Sequence, residues 1–127
     1  MRIETYFRQV NETIENCAVA LSVNVTYDKR GTHEGFIRGE IHFRDGSILQ
    51  FREFVEVELT IDRLMYTYHY AEASGKLMFR YDNTGHHKSV PTYPHHKHDG
   101  SEQNVVISTA PFLADVLAEI EKLIPLP

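Results

Sequence analysis

Three features of the sequence predict an α+β fold, an antiparallel sheet covered on one face by helices. Apolar residues near each end recur every three or four positions. Those between alternate every second position, and turn signals, not helix-length crossovers, separate the strand-like segments. The 127 residues, 42% of them apolar and 24% charged, suffice for one domain with its own core. The expected order is an N-terminal helix, a five-stranded, mostly antiparallel meander, a long His-rich loop, and a C-terminal helix packed on one sheet face. The other face would be open to carry a site.

Ile3, Tyr6, Phe7, Val10, Ile14, Cys17 and Ala18 make one apolar stripe, so residues 2–18 read as an amphipathic helix. At Val19 the period changes to two, and the sheet is expected over 19–83. Val19, Leu21, Val23, Val25 and Tyr27 alternate with small or polar residues in the first strand.

Asp45-Gly46 then joins two strands. A three-residue loop with left-handed Gly46 sets Ile41 opposite Leu49 and Gly39 opposite Phe51, keeping both apolar sets on one face. It also leaves Glu53 at an inward position, where a buried carboxylate needs a partner. Arg38 or Arg63 is the partner we expect, with a general-base role as the alternative.

Strand 61–72 turns at Ser74-Gly75 into strand 76–83. A two-residue turn puts Tyr70 opposite Phe79 and Tyr68 opposite Tyr81, with Thr67, His69, Arg80 and Asp82 on the other face. Residues 84–104 have no periodicity and read as a loop long enough to be functional or disordered. After the apolar piece Val105–Ile107, Pro111 opens a helix over 111–124 with Leu113, Val116, Leu117, Ile120 and Ile124 in one stripe, and Pro125 stops it.

The single Cys17 excludes an internal disulfide and a Cys-rich zinc site. No apolar leader and no membrane-length run is visible, so a cytoplasmic protein that spans no membrane is expected. A glycine-rich phosphate loop, a nucleophile elbow and a paired-acid metal motif are all missing, which argues against nucleotide hydrolysis, hydride transfer and any cofactor. The net charge of −5 argues against wholesale nucleic-acid binding. The cations are concentrated, however. Between residues 76 and 98, Lys76, Arg80, Lys88 and Lys97 meet one acid, Asp82, and five of the eight histidines fall there.

In that stretch lies Pro94-His95-His96-Lys97-His98-Asp99. Imidazoles titrate near neutrality, so a pair can serve as base and acid in phosphoryl or acyl chemistry, and a lysine adds an anion contact. The same imidazoles suit a transition metal, and an idle hydrated loop is the bland alternative. Arg80 can grip a phosphate or carboxylate in two-point fashion, with Asp82 orienting it or an imidazole. The plainer possibility for Arg80 and Asp82 is a surface ion pair of little worth. Tyr66, Tyr68 and Tyr70 read first as the rim of a core and second as stacking surfaces for bases. His69, pointing the other way, is the exception in that ladder. His33 and His42 read as ordinary surface residues.

Glu53 with its neighbours Phe54 and Val55, then Tyr66-x-Tyr68-His69-Tyr70, Leu77-x-Phe79-Arg80-Tyr81-Asp82-Asn83, His86-His87 and Thr92-x-Pro94-His95-His96-Lys97-His98 together resemble the TumE-like toxin family. The likeness runs over roughly residues 36 to 98. It implies the toxin of a prokaryotic type II toxin–antitoxin pair, with nuclease action and a co-encoded antitoxin that would mask the cationic stretch. A homodimer through an edge strand is a further expectation.

Metal-independent RNA cleavage is the expected chemistry. It would use His69 or His96 as base, His95 or His98 as acid, Arg80 and Lys97 as charge stabilisers, and Asp82 to orient an imidazole. Tyr68, His86, His87, Lys88 and Tyr93 are the expected substrate contacts. Two alternatives stay open: a metal-dependent nuclease or hydrolase using His95, His96 and His98, and a non-enzymatic module that binds an anion or a protein.

Overall fold

The computed structural model describes residues 1–125, with α1 over Ile3–Glu15, β1 over Ala20–Lys29, β2 over Glu34–Phe43 and β3 over Ile48–Glu56. They are followed by β4 (Asp62–Ala71), β5 (Leu77–Asp82), β6 (His96–Asp99), β7 (Val105–Ile107) and α2 (Leu113–Leu123). The strands form one antiparallel sheet in the order β1-β2-β3-β4-β5-β6-β7. The α+β class and both terminal helices agree with the expectation from sequence. The sheet has seven strands, not five.

One extra strand, β6, lies within 84–104 and corrects its assignment to one loop; the other, β7, is the short apolar piece Val105–Ile107. His96–Asp99 alternates, but its buried members are imidazoles on the face away from the helices, so apolar periodicity cannot reveal it. His96 is 1% exposed and His98 3% exposed, packed beneath the segment 83–95.

The helices pack on one face. Ile3, Tyr6, Val10 and Ile14 of α1 and Leu113, Val116, Leu117 and Ile120 of α2 join a single core with Ile37, Ile41, Leu49, Phe51 and Val55 of the sheet. Gly35 admits α1 closely, since a Cβ there would meet the Phe7 ring and Ile3. At the start of α2 the Asp115 carboxylate accepts from the Phe112 N–H at 2.9 Å. Such a bond satisfies one of the amides that a helix start leaves unpaired.

The turn chemistry decides which residues share a face. Gly46 has φ +85°, Phe43 N–H donates to Ser47 O at 2.9 Å, and Ile41 lies opposite Leu49 and Gly39 opposite Phe51. The β4–β5 hairpin also has the expected neighbours, Tyr70 with Phe79, Tyr68 with Tyr81, His69 with Arg80 and Thr67 with Asp82. Its turn differs. Glu72 N–H donates to Lys76 O at 2.9 Å, and Ala71 pairs with Leu77. The loop is therefore three residues long, and a bulge at Met78 restores the register.

Glu53, 1% exposed, takes its hydrogen bonds from tyrosines, not from an arginine. Tyr6 Oη donates to one oxygen and Tyr68 Oη to the other at 2.7 Å. Burial, then the neighbouring Glu53 charge, raises both phenol pKa values far above their usual range. Arg63 reaches this group only through Tyr68 Oη, at 3.0 Å, while Arg38 lies on the opposite face.

Candidate active site

Alternation along each strand turns a second set of residues away from the helices. Across the sheet the register brings Thr26, Arg38, Arg52, Thr67, Asp82 and His96 into one row. Asn24, Glu40, Gln50, His69, Arg80 and His98 form the next. Most of these residues, with Thr84 and His86 from the segment after β5, line a cleft of ≈ 620 Å³.

The electrostatics of the cleft are cationic. Arg38 and Arg52 are cross-strand neighbours, and among the described residues neither forms an ion pair. Like charges placed so are destabilising unless an anion sits near them. Glu40 is engaged by His42 at 3.1 Å and by Gln50 at 3.1 Å.

Arg80 is held by three partners: Nε donates to Asp82 Oδ2 at 3.1 Å, Nη1 to Glu102 Oε1 at 2.7 Å, and Nη2 to His98 Nε2 at 3.0 Å. His69, partly buried beside it, has its imidazole pKa lowered by burial and then by the Arg80 charge. Both effects favour the neutral ring, the form that can accept a proton.

Asp82, 2% exposed, joins the cleft to a buried histidine group. Burial opposes its ionisation, but Thr84 N–H at 3.0 Å and Thr84 Oγ1 at 2.8 Å, with His96 and Arg80, hold its pKa below the usual carboxylate value. His96 Nε2 lies 2.9 Å and His98 Nε2 3.7 Å from its oxygens. His87 packs on both rings, at centroid distances of 4.7 Å and 5.4 Å.

Of the residues singled out from sequence, the cleft brings together His69, Arg80, Asp82 and His86, with His87, His96 and His98 behind Asp82. The others lie elsewhere. His95 sits on the far face, stacked on Tyr66 at 5.8 Å with Nδ1 2.8 Å from its hydroxyl, because it stands one residue outside β6 and out of phase with His96. Lys97, turned to the helix side by the same alternation, covers Tyr81 and Phe79 and pairs with Glu119 of α2 at 3.5 Å. Tyr68 is wholly buried against Glu53, so no base can stack on it. Lys88 and Tyr93 are exposed on the segment 83–95 and do not line the cleft.

Arg38, Arg52 and Gln50 are cleft residues that motif reading passes over. Their signal is the alternation itself: once Gly39 faces Phe51, Arg38 must face Arg52 on the outer side.

A family model described as Toxin TumE matches residues 10–124, nearly the whole chain. The chain belongs to the TumE toxin family. Membership makes it the toxin of a toxin–antitoxin system and gives it a co-encoded antitoxin as partner. No curated protein and no solved structure matches it. None of this toxin's described helices is long and apolar enough to cross a membrane.

Proposed function

We propose that this TumE-family toxin is an endoribonuclease acting in the cytoplasm, and that the open sheet face is its active site. The observation that carries this reading is the unpaired Arg38–Arg52 neighbour pair beside Arg80 and a neutral His69 in one cleft. Arginines in that arrangement suit phosphate oxygens, and the half-buried imidazole suits proton abstraction.

In the proposed reaction His69 takes the proton of a ribose 2′-hydroxyl, and the 2′-oxygen attacks the adjacent phosphorus. Arg80, with Arg38 and Arg52, balances the negative charge of the phosphorane. His86 at the cleft rim gives a proton to the departing 5′-oxygen. Because RNA supplies its own nucleophile, no metal-bound water is required.

The test is incubation of the purified chain with an RNA and the DNA of the same sequence. Cleavage of RNA alone, ending in a 2′,3′-cyclic phosphate and lost in His69→Ala, is expected. Cleavage of both polymers would contradict the 2′-hydroxyl chemistry, and RNA bound but left intact would make the cleft a binding surface. The free edge of β1, with exposed Leu21 and Val23, is where we place the homodimer contact, which sedimentation of the purified chain checks.

A further inference from the structure

The histidine group behind Asp82 has no part in that reaction, yet its geometry calls for a ligand. His96 Nδ1 lies 3.0 Å from Pro94 O, and His98 Nδ1 lies 2.8 Å from Glu102 O. Both Nδ1 atoms therefore donate to a carbonyl, which leaves each Nε2 as the ring atom available to an ion. Fixing one ring nitrogen on a backbone carbonyl is how proteins aim the other at a metal.

His98 Nε2 accepts from Arg80, but His96 Nε2 is buried with no hydrogen-bond partner among the described residues. The Asp82 oxygen at 2.9 Å does not satisfy it, because the pair is not aligned for N–H···O and the oxygen already accepts twice from Thr84. A buried polar atom left so is costly and asks for an explanation.

We propose that His87, His96 and His98 bind one zinc-class divalent ion, with Asp82 beside it as the balancing negative charge. Candidate ligand atoms of the three residues lie within 4.8 Å of one another. Tetrahedral coordination at zinc–nitrogen bonds of about 2.0–2.1 Å brings such atoms to about 3.4 Å. The closing movement falls to His87, the one ligand outside the sheet. Arg80 gives up His98 Nε2 on binding but keeps its contacts with Asp82 and Glu102. The fourth position faces the partly exposed side of His87 and takes a water.

Three imidazoles without a cysteine suit zinc, cobalt, nickel or copper and not magnesium or calcium. The role is a clasp: the ion ties the segment 83–95 to β6 and so fixes His86 at the cleft rim. This differs from the set His95, His96 and His98 that adjacency in sequence suggests, since His95 is on the other face of the sheet.

The full chain, stripped of metal with a chelator and desalted, would be titrated with Co²⁺ and then with Zn²⁺. Neither RNA nor activity enters the readout, so the outcome is separate from the nuclease proposal. We expect one equivalent of Co²⁺ to give the visible absorption of a tetrahedral nitrogen site. Zn²⁺ should displace it, and saturating metal should raise Tm by roughly 10 °C. His87→Ala, a change at a partly exposed position that spares the sheet, should weaken binding by at least about 100-fold. His95→Ala should leave it unchanged. Lack of the absorption and of the Tm gain would overturn the proposal, as would equal Co²⁺ affinity in His87→Ala. A Tm gain from inorganic phosphate but not from metal would also overturn it, making the group an anion site.

Discussion

His69 lies on the same strand as three tyrosines that serve the core, and only its phase separates it from them. Its half-buried ring and the Arg80 charge across the strand pair lower its pKa from the ordinary 6.5. A base whose neutral form does the work loses activity only when pH falls through that lowered pKa. The acid limb of kcat/KM for RNA cleavage is therefore expected below pH 6.5. In Arg80→Ala the limb should move to higher pH, because one of the two causes of the lowering is gone, and the rate should fall as well. Gln50, Arg52, Thr84, His86 and Glu102 are the other polar groups around the cleft at this point, and the Glu102 charge works in the opposite direction. His69→Ala should reduce cleavage by about 10²- to 10⁴-fold, the usual worth of a positioned base, with folding intact by circular dichroism. The same burial makes stability fall as pH drops below 6.5, since the unfolded chain takes up the proton first. Glu53 makes the opposite kind of claim. Glu53→Ala leaves the Tyr6 and Tyr68 hydroxyls buried without an acceptor, and urea unfolding should show a loss of roughly 2–4 kcal/mol.

The β2–β3 hairpin carries the cleft's arginine pair, and its register rests on Gly39 as well as on the Asp45-Gly46 turn. The Phe51 ring lies over Gly39, so a Cβ at that position collides with it. Gly39→Ala should destabilise the fold by about 1–3 kcal/mol in thermal unfolding, the ordinary cost of overpacking. Both hairpins are legible in the sequence because apolar alternation and a turn glycine fix a register together. Even the bulge at Met78 leaves Tyr70 opposite Phe79. β6 is not legible, because a strand that buries two imidazoles on one side and rests a lysine on aromatic rings on the other has no apolar period to find. That also explains why the expected site residues divide between the two faces. His95, Lys97 and His98 look equivalent when read as a loop, but once strand pairing fixes their phase, His95 and Lys97 belong to the helix face.

On the scale of the whole molecule, the two sheet faces divide the work. One buries Tyr66, Tyr68, Tyr70 and Glu53 under the helices, and the other presents arginines and histidines from an acidic body of net charge −5. Binding to single-stranded RNA should then depend on salt through a few local contacts, each adding about 0.7 to the slope of log K against log salt. The double variant Arg38→Ala, Arg52→Ala should lower that slope by about 1.4 in fluorescence-anisotropy titrations. The most direct test of the open face as the substrate site is a map of backbone amide shifts on adding an RNA whose 2′-hydroxyls are methylated, so that it binds without being cut. We expect the changes to gather at Arg38, Arg52, Thr67, His69 and Arg80. Changes gathered instead at Tyr66, His95 and α2 would contradict the assignment.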